Sequence, residues 1–164
     1  MRRLLTALAV AAVVAGAPYV ADAATATGTL AVSVTVVNTC SVGASTMAFG
    51  NLPGSAATTT LNVSGTVAVT CTNLAPYNIG LDKGANGASV TTRAMVDASA
   101  HTITYSLFRD ATHLLNWGQT VGTDTVAGVG TGSAQSVTVY GQIPSQNAAF
   151  VNTYNDTVNI TVTY

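Results

Sequence analysis

Strict alternation of apolar and polar residues over Ala24–Val37 is the feature that most constrains this chain. Ala, Gly, Leu and Val occupy the even positions, whereas Thr and Ser occupy most of the odd positions. This period of two is typical of a β-strand with one buried face and one face in water. Such a strand needs a partner edge and a place in which to bury its apolar row. The sequence therefore raises the question of where that edge lies.

The residues before this segment have the features of a signal peptide. Two arginines follow Met1, an apolar run covers residues 4–17, and Ala21-Asp22-Ala23 is typical of a signal-peptidase site. We therefore predict a signal peptide over residues 1–23 and export of the mature chain. The apolar run is too short to cross a bilayer and no later run is longer, so we predict no membrane span in the mature chain.

The predicted mature chain has very few charged side chains. Its basic residues are Lys83, Arg93 and Arg109, and its acidic residues are all aspartates. So few basic groups cannot neutralise a run of phosphates, which argues against nucleic acid as a partner. A surface poor in charge is unusual for a freely diffusing monomer, because charge keeps chains apart. This composition favours a protein that associates with others.

Two cysteines, Cys40 and Cys71, are present in a chain that we expect to be exported. Exported proteins fold in an oxidising environment, so we predict a Cys40–Cys71 disulfide rather than two free thiols. A zinc site would need further ligands, and no histidine neighbours either cysteine. We predict neither a metal nor a cofactor.

The rest of the mature chain has the pattern of one all-β domain. No segment shows helical periodicity, and Gly, Asn, Asp and Pro separate short runs that are rich in Thr and Val. Strands at this spacing predict an antiparallel sandwich, with Gly118 to Gly132 as a long turn region. The predicted strands are Leu30–Val37, Thr46–Leu52, Thr60–Cys71, Tyr77–Leu81, Ser89–Val96, Thr102–Phe108, Ser133–Ile143 and Thr157–Tyr164.

The last predicted strand mirrors the first in its alternation. Its apolar side chains lie on one face, and Thr and Asn lie on the other. Edge strands are normally protected by charge, by proline or by a covering segment. Here only Asp156 at the start of the strand offers such protection. We therefore expect an edge that is available to a further strand.

The two histidines and the single tryptophan give little evidence for an active site. His113 lies three residues after Asp110, but the chain lacks the Gly-x-Ser-x-Gly elbow of a serine hydrolase. We interpret His101 and His113 as structural residues and predict that the chain is not an enzyme. Trp117 suits a core or an interface better than a sugar platform, although a sugar-binding adhesin module stays open as an alternative.

The mature chain contains a set of short motifs in a fixed order: Val36-Val37-Asn38-Thr39-Cys40, Val69-Thr70-Cys71-Thr72, Tyr77-x-Ile79-x-Leu81, Arg93-x-Met95, Tyr105-Ser106-Leu107-Phe108-Arg109-Asp110, Trp117-Gly118, Val137-x-Val139-Tyr140-Gly141-x-Ile143-Pro144 and Tyr154-x-Asp156-Thr157-Val158-x-Ile160-x-Val162-x-Tyr164. In this order they resemble the spore coat protein U domain family, which includes major pilins of Csu-type archaic chaperone–usher pili. Asn152-Thr153 replaces the family's usual glycine, and we expect a loop variation there.

The resemblance implies an incomplete immunoglobulin-like sandwich over residues 39–164, preceded by a donor-strand arm over residues 24–38. In this family a periplasmic chaperone first supplies the missing strand. At the outer-membrane usher, the arm of the next copy then replaces it by β-augmentation. The implied site residues are the plugs Ala26, Gly28, Leu30, Val32, Val34 and Val36 on the arm, and the groove-edge residues Val158, Ile160, Val162 and Tyr164 on the last strand.

The implied function is that of a structural subunit in a surface pilus that supports adhesion and biofilm formation. Its implied partners are copies of itself, the chaperone and the usher. A spore or cell-coat protein that is assembled by the same route is the alternative within the family. From the pattern alone, Ala24–Val37 suits equally well the first strand of a complete sandwich within one chain.

Overall fold

The computed structural model describes residues 23–43, 45–52, 59–145 and 150–164. Apart from Ala23, the predicted signal peptide lies outside the described residues. The chain divides into two units between Val34 and Thr35. In the first unit, residues 23–34 belong to no strand and their side chains are exposed. The strands of the described residues all lie in the second unit.

The second unit contains β1 (Cys40–Val42), β2 (Leu61–Cys71), β3 (Pro76–Leu81), β4 (Arg93–Val96), β5 (Thr102–Phe108), β6 (Val126–Val129), β7 (Ala134–Ile143) and β8 (Ile160–Thr163). They form a five-stranded sheet in the order β1-β2-β7-β5-β4 and a three-stranded sheet in the order β6-β3-β8. All of the pairs are antiparallel, and the described residues contain no helix. The prediction of an all-β antiparallel architecture is confirmed.

The long strands β2 and β7 form the centre of the five-stranded sheet. They pair from Leu61↔Ile143 to Thr70↔Ala134, so their alternating apolar residues share one face. This face packs on side chains of the three-stranded sheet, because burial of both apolar faces stabilises a two-layer fold. The buried core comprises Val67, Val69, Cys71, Ala75, Tyr77, Ile79, Leu81, Ile103, Tyr105, Leu107, Trp117, Val139 and Ile143.

A disulfide joins Cys40 on β1 to Cys71 on β2, as the sequence predicts. The two residues lie opposite each other in the strand register, with their Cα atoms 4.1 Å apart. They are separated by 31 positions, and closing a loop of this length stabilises a fold by about 3–4 kcal/mol on the chain-entropy model. The bond therefore fixes the short strand β1 to the central sheet.

Two strands that the sequence predicts are absent from the described residues. Leu30–Val37 belongs to no strand, and neither does Thr46–Leu52. Leu30–Val37 alternates and Thr46–Leu52 does so only in part, but a sequence pattern does not suffice, because a strand forms only where an edge accepts its hydrogen bonds. The prediction was therefore wrong for the single chain at both places.

Two further strands are present where the sequence predicts none. β1 has only three residues, and its pairing follows from its position opposite β2. β6 lies inside the predicted Gly-rich turn region, where it pairs with β3. A Cβ atom at Gly128 would lie 2.4 Å from Cζ of Tyr77, so the glycine gives that ring its space. A glycine that the sequence predicts in a turn therefore lies in a strand, where a close contact with its neighbour requires it.

Candidate functional site

β8 lies at the edge of the three-stranded sheet, with β3 as its neighbour on one side. The pairing runs from Leu81↔Ile160 to Asn78↔Thr163. Ile160 and Val162 are half-buried against the core, and Val158 packs against it just before the strand. Among the described residues no strand pairs with the other side of β8. That side can therefore offer backbone hydrogen bonds to an added strand.

Residues 45–49 lie along the inner faces of β2 and β7, without joining either strand ladder. Met47 and Phe49 hold this segment in place through their side chains. A Cβ atom at Gly141 would lie 2.6 Å from Sδ of Met47 and 2.9 Å from Cζ of Phe49. The glycine thus leaves the space that these two side chains fill, and Phe49 also meets the edge of Tyr105.

A cavity of about 400 Å³ opens between residues 45–49 and the start of β8. The buried side chains Val67, Leu81 and Val139 line it, together with Val158 and Ile160. A second cavity of about 590 Å³ shares Met47, Phe49, Met95, Tyr154 and Asn155 with the first, and continues to Leu52 and Phe150. We call the two cavities together the β8 groove. Along it the apolar core of the sandwich is open to its surroundings.

A partly buried hydrogen bond crosses one wall of the β8 groove. The hydroxyl of Tyr105 donates to Oδ2 of Asp156 over 2.7 Å. Burial, and then the hydrogen bond to Asp156, raises the pKa of Tyr105, so this hydroxyl stays protonated and acts as a donor. The other oxygen of Asp156 accepts hydrogen bonds from the backbone of Ala85 and from the backbone and side chain of Asn86.

A second carboxylate holds the segment just before β8. Asp82 accepts hydrogen bonds from the backbone and the side-chain amide of Asn159, at 2.9 and 2.6 Å. Burial alone would raise the pKa of Asp82, but the hydrogen bonds from Asn159 and Gly84 outweigh it and lower the pKa. β8 begins only at Ile160, later than predicted, because residues 156–159 contact the loop after β3 rather than a strand. The carboxylates of Asp82 and Asp156 and the backbone N–H groups of Asp82 and Ala85 make these contacts.

Arg93 at the start of β4 is fully buried, which no sequence pattern predicted. Its guanidinium donates to the carbonyl oxygens of Asp82, Val90, Leu81 and Trp117, at 2.6 to 3.0 Å. Burial lowers its pKa, whereas the negative charges of Asp82 and Asp156 oppose that effect. Arg93 therefore ties the loop that holds β8 to the core, where a lone charge is costly without such partners.

The side chains considered for catalysis or sugar binding have structural contacts. His101 pairs with Asp97 at 2.9 Å, and the ring of His113 packs edge-on against Phe108 and Tyr140. Trp117 is fully buried and donates its indole N–H to the carbonyl oxygen of Ile79. The described residues hold no group of three or more metal-ligating side chains, and they contain no helix that could span a membrane.

The predicted plug residues and groove residues differ in their environment. The plug side chains Leu30, Val32, Val34 and Val36 are 78% to 88% exposed, and Ala26 and Gly28 are exposed as well. Val158 and Ile160 line the β8 groove. Val162 packs against the core further along β8, whereas Tyr164 is more than half exposed.

A family model of the Spore Coat Protein U domain matches residues 26–161. The chain belongs to this family. The match covers both the alternating segment and the sandwich, which confirms the resemblance that the motifs indicate. Protein U of Myxococcus xanthus is 36% identical to this chain over an alignment of 174 positions. The alignment covers 95% of this chain and 97% of that protein.

The fold of this Spore Coat Protein U domain is also similar to a solved structure. The match is to a chain in the crystal structure of the CsuC–CsuE chaperone–tip adhesion subunit pre-assembly complex, from archaic chaperone–usher Csu pili of Acinetobacter baumannii. The TM-score is 0.57 and the sequence identity is 21%, over 79% of this chain. The match spans 40% of the length of the solved chain, and it shows a common fold.

Proposed function

We propose that this protein is the structural subunit of a surface fibre that assembles by donor-strand exchange. In this proposal the β8 groove of one subunit receives the arm, residues 24–38, of the next. The observation that carries the proposal is the open groove beside an edge strand, in a chain whose own alternating arm is exposed. An unpaired strand edge beside an opening into an apolar core favours the addition of a strand from another chain.

The arm and the β8 groove have matching patterns. Apolar side chains recur at every second position of the arm, and inward side chains recur at every second position from Tyr154 to Val162. An inserted strand would place its apolar row against the core and its Thr and Ser row in water. Burying Leu30, Val32, Val34 and Val36 at about 1.5–3 kcal/mol each offers about 6–12 kcal/mol before the cost of ordering the arm.

The same groove needs a temporary occupant before assembly, because an open apolar core invites aggregation. In our proposal a periplasmic chaperone supplies that strand, and an outer-membrane usher exchanges it for the arm of the next copy. The family membership and the similar fold in a chaperone–subunit complex from a chaperone–usher pilus support this route. Adhesion and biofilm formation are the roles that we propose for the resulting fibre at the cell surface.

A spore or cell coat is the second destination that we consider. The name of the family and the 36% identity to Protein U favour it. The coat and the pilus would share donor-strand exchange and differ in where the polymer is deposited. We do not propose a sugar platform at Trp117, since this side chain is fully buried.

Adding the arm back to a chain that lacks it tests the proposal. The chain without residues 24–37 is refolded with its disulfide intact, in the presence or absence of a synthetic peptide of that sequence. We expect the peptide to bind and to raise the melting temperature. A control peptide that carries both Val32→Asp and Val34→Asp should do neither. If the truncated chain is equally stable with and without the arm peptide, donor-strand exchange is wrong.

A further inference from the structure

The root of the arm is fixed beside an exposed leucine. Thr39 accepts a backbone hydrogen bond from Thr72 at 2.9 Å, and its own N–H donates to the hydroxyl of Thr72 at 3.0 Å. Leu74 follows two residues later, and 77% of its side chain is exposed. Because the Cys40–Cys71 disulfide lies directly next to this contact, the arm leaves the sandwich at a rigid point close to Leu74.

The backbone of Leu74 is in an unfavourable conformation for its residue type. Its φ angle is +64°, in the left-handed region that glycine, asparagine and aspartate populate most readily. Its N–H donates to the carbonyl oxygen of Gly130 at 2.8 Å, which holds the turn in this form. An exposed leucine contributes little to the stability of its own subunit, so this strained position points to a role outside it.

A second exposed apolar feature, the pair Phe150 and Val151, lines the β8 groove. Phe150 stacks on the ring of His101, with centroids 3.8 Å apart, yet 64% of it is exposed. Val151 is fully exposed. The side-chain amide of Asn152 donates to Asp97 at 2.9 Å, and Asp97 in turn pairs with His101. The backbone around Phe150 and Val151 is therefore fixed by side-chain contacts.

The two apolar features lie at opposite ends of the five-stranded sheet. Leu74 follows the Cys71 end of β2, whereas Phe150 lines the same cavity as Ile143 of β7, which pairs with the Leu61 end of β2. β2 has 11 residues, so the two ends are roughly 35 Å apart at about 3.3 Å per residue. Leu74 and Val151 of one chain therefore cannot meet, but those of two successive chains can.

The length of the arm determines which parts of two subunits meet. All strand pairs of the second unit are antiparallel. An arm that also pairs antiparallel to β8 runs from the Tyr164 end towards Tyr154. Val36, the plug nearest to the root, then lies at the end of the groove that Phe150 borders. Val36 and Thr39 are three positions apart, so at most about 10 Å of chain separates them.

We propose that Leu74 of each subunit packs against Phe150 and Val151 of the neighbour that receives its arm. This contact rests on the proposed donor-strand exchange and adds a second, apolar interface beside the inserted strand. Its partner is another copy of this chain, because the short tether brings the root of the arm to that end of the groove. The contact limits bending between successive subunits, since one flexible joint would otherwise connect them.

A pair of introduced cysteines tests this contact in fibres of the full chain. Leu74→Cys combined with Val151→Cys should give a ladder of covalent multimers after mild oxidation, seen on denaturing gels without reductant. Each single variant, and the pair Leu74→Cys with Leu114→Cys, should stay several-fold below this level. Leu114 is a suitable control because it is exposed to the same extent, 77%, but lies in the loop after β5.

The outcomes separate the contact from strand exchange. Fibres of normal length in which the Leu74–Val151 pair gives no more cross-linking than the controls would overturn the contact and leave strand exchange intact. Failure of the unmodified chain to form fibres would reject both proposals. As an independent measurement, Leu74→Ser should shorten the bending persistence length in electron micrographs several-fold, whereas Leu114→Ser should not. Equal stiffness of the two variants would count against the contact.

Discussion

Tyr105 on β5 and Asp156 before β8 are joined by a 2.7 Å hydrogen bond between the two sheets of the sandwich. Both residues line the β8 groove beside the apolar side chains of Leu107, Val158 and Ile160. Asp156 also accepts hydrogen bonds from the loop at Ala85 and Asn86, so one carboxylate connects β5, this loop and the segment that leads into β8. Asp156 therefore links the two sheets at the groove by side-chain hydrogen bonds.

Tyr105→Phe should destabilise the second unit by about 1–2 kcal/mol, because it leaves a partly buried oxygen of Asp156 without its donor. The measurement is the free energy of unfolding in denaturant. Tyr140→Phe is the control, since Tyr140 lies on β7 away from the groove lining. Equal stability of the Tyr105→Phe variant and the unmodified protein would show that the bond does not hold the two sheets together.

The sequence predicts the strands whose two faces differ most in polarity. β5 is found at Thr102–Phe108 as predicted, and β2 and β7 each begin one residue later than predicted. These strands could be predicted because Thr and Ser alternate there with residues that face the core. β6 was missed since Val126–Val129 contains the glycine expected of a turn. The position of Arg93 could not be predicted, because the carbonyl groups that surround it come from loops that only the fold brings together.

The same limit applies to the candidate site. Alternation in Ala24–Val37 and Thr157–Tyr164 indicated two segments that can pair with a further strand. The disulfide was predicted because the chain, expected to be exported, has two cysteines. The wall formed by Met47 and Phe49 gave no such signal, since it depends on the space at Gly141 on a distant strand. Sequence patterns show which residues can be buried, whereas the shape of a groove follows from contacts between distant residues.

Replacing both Cys40 and Cys71 by alanine should lower the free energy of unfolding by about 2–4 kcal/mol. The disulfide closes a loop over 31 positions, and β1 is too short to hold its place by pairing alone. Denaturant unfolding of the oxidised protein and of the variant measures the difference. Adding a thiol reductant should destabilise the unmodified protein by a similar amount and leave the variant unchanged. A variant that matches the oxidised protein would contradict this role.

Val34→Asp should reduce polymer formation at least tenfold, because a charge would enter an apolar groove and about 1.5–3 kcal/mol of burial would be lost. Ser33→Asp is the matched control, since it adds the same charge one position away on the face that we expect to meet water. The readout is the length distribution of fibres from cells that assemble each variant. Similar fibres from both variants would mean that the wrong face of the arm was assigned to the groove.

Protonation of Asp97 in acid should weaken the hydrogen bond that holds the Phe150–Asn152 segment. Burial alone would raise the pKa of Asp97, but hydrogen bonds from His101, Asn152 and Ser99 outweigh it and lower the pKa to about 2. An aspartate in an unfolded chain titrates near pH 3.9, so the stabilising effect is complete above about pH 4 and is lost as the pH falls towards 2. Unfolding free energies of the unmodified protein and of Asp97→Asn should therefore converge between pH 4 and pH 2. All other carboxylates are common to both proteins, so their titration cancels in the difference. A difference that stays constant over this range would show that the charge of Asp97 does not hold the segment.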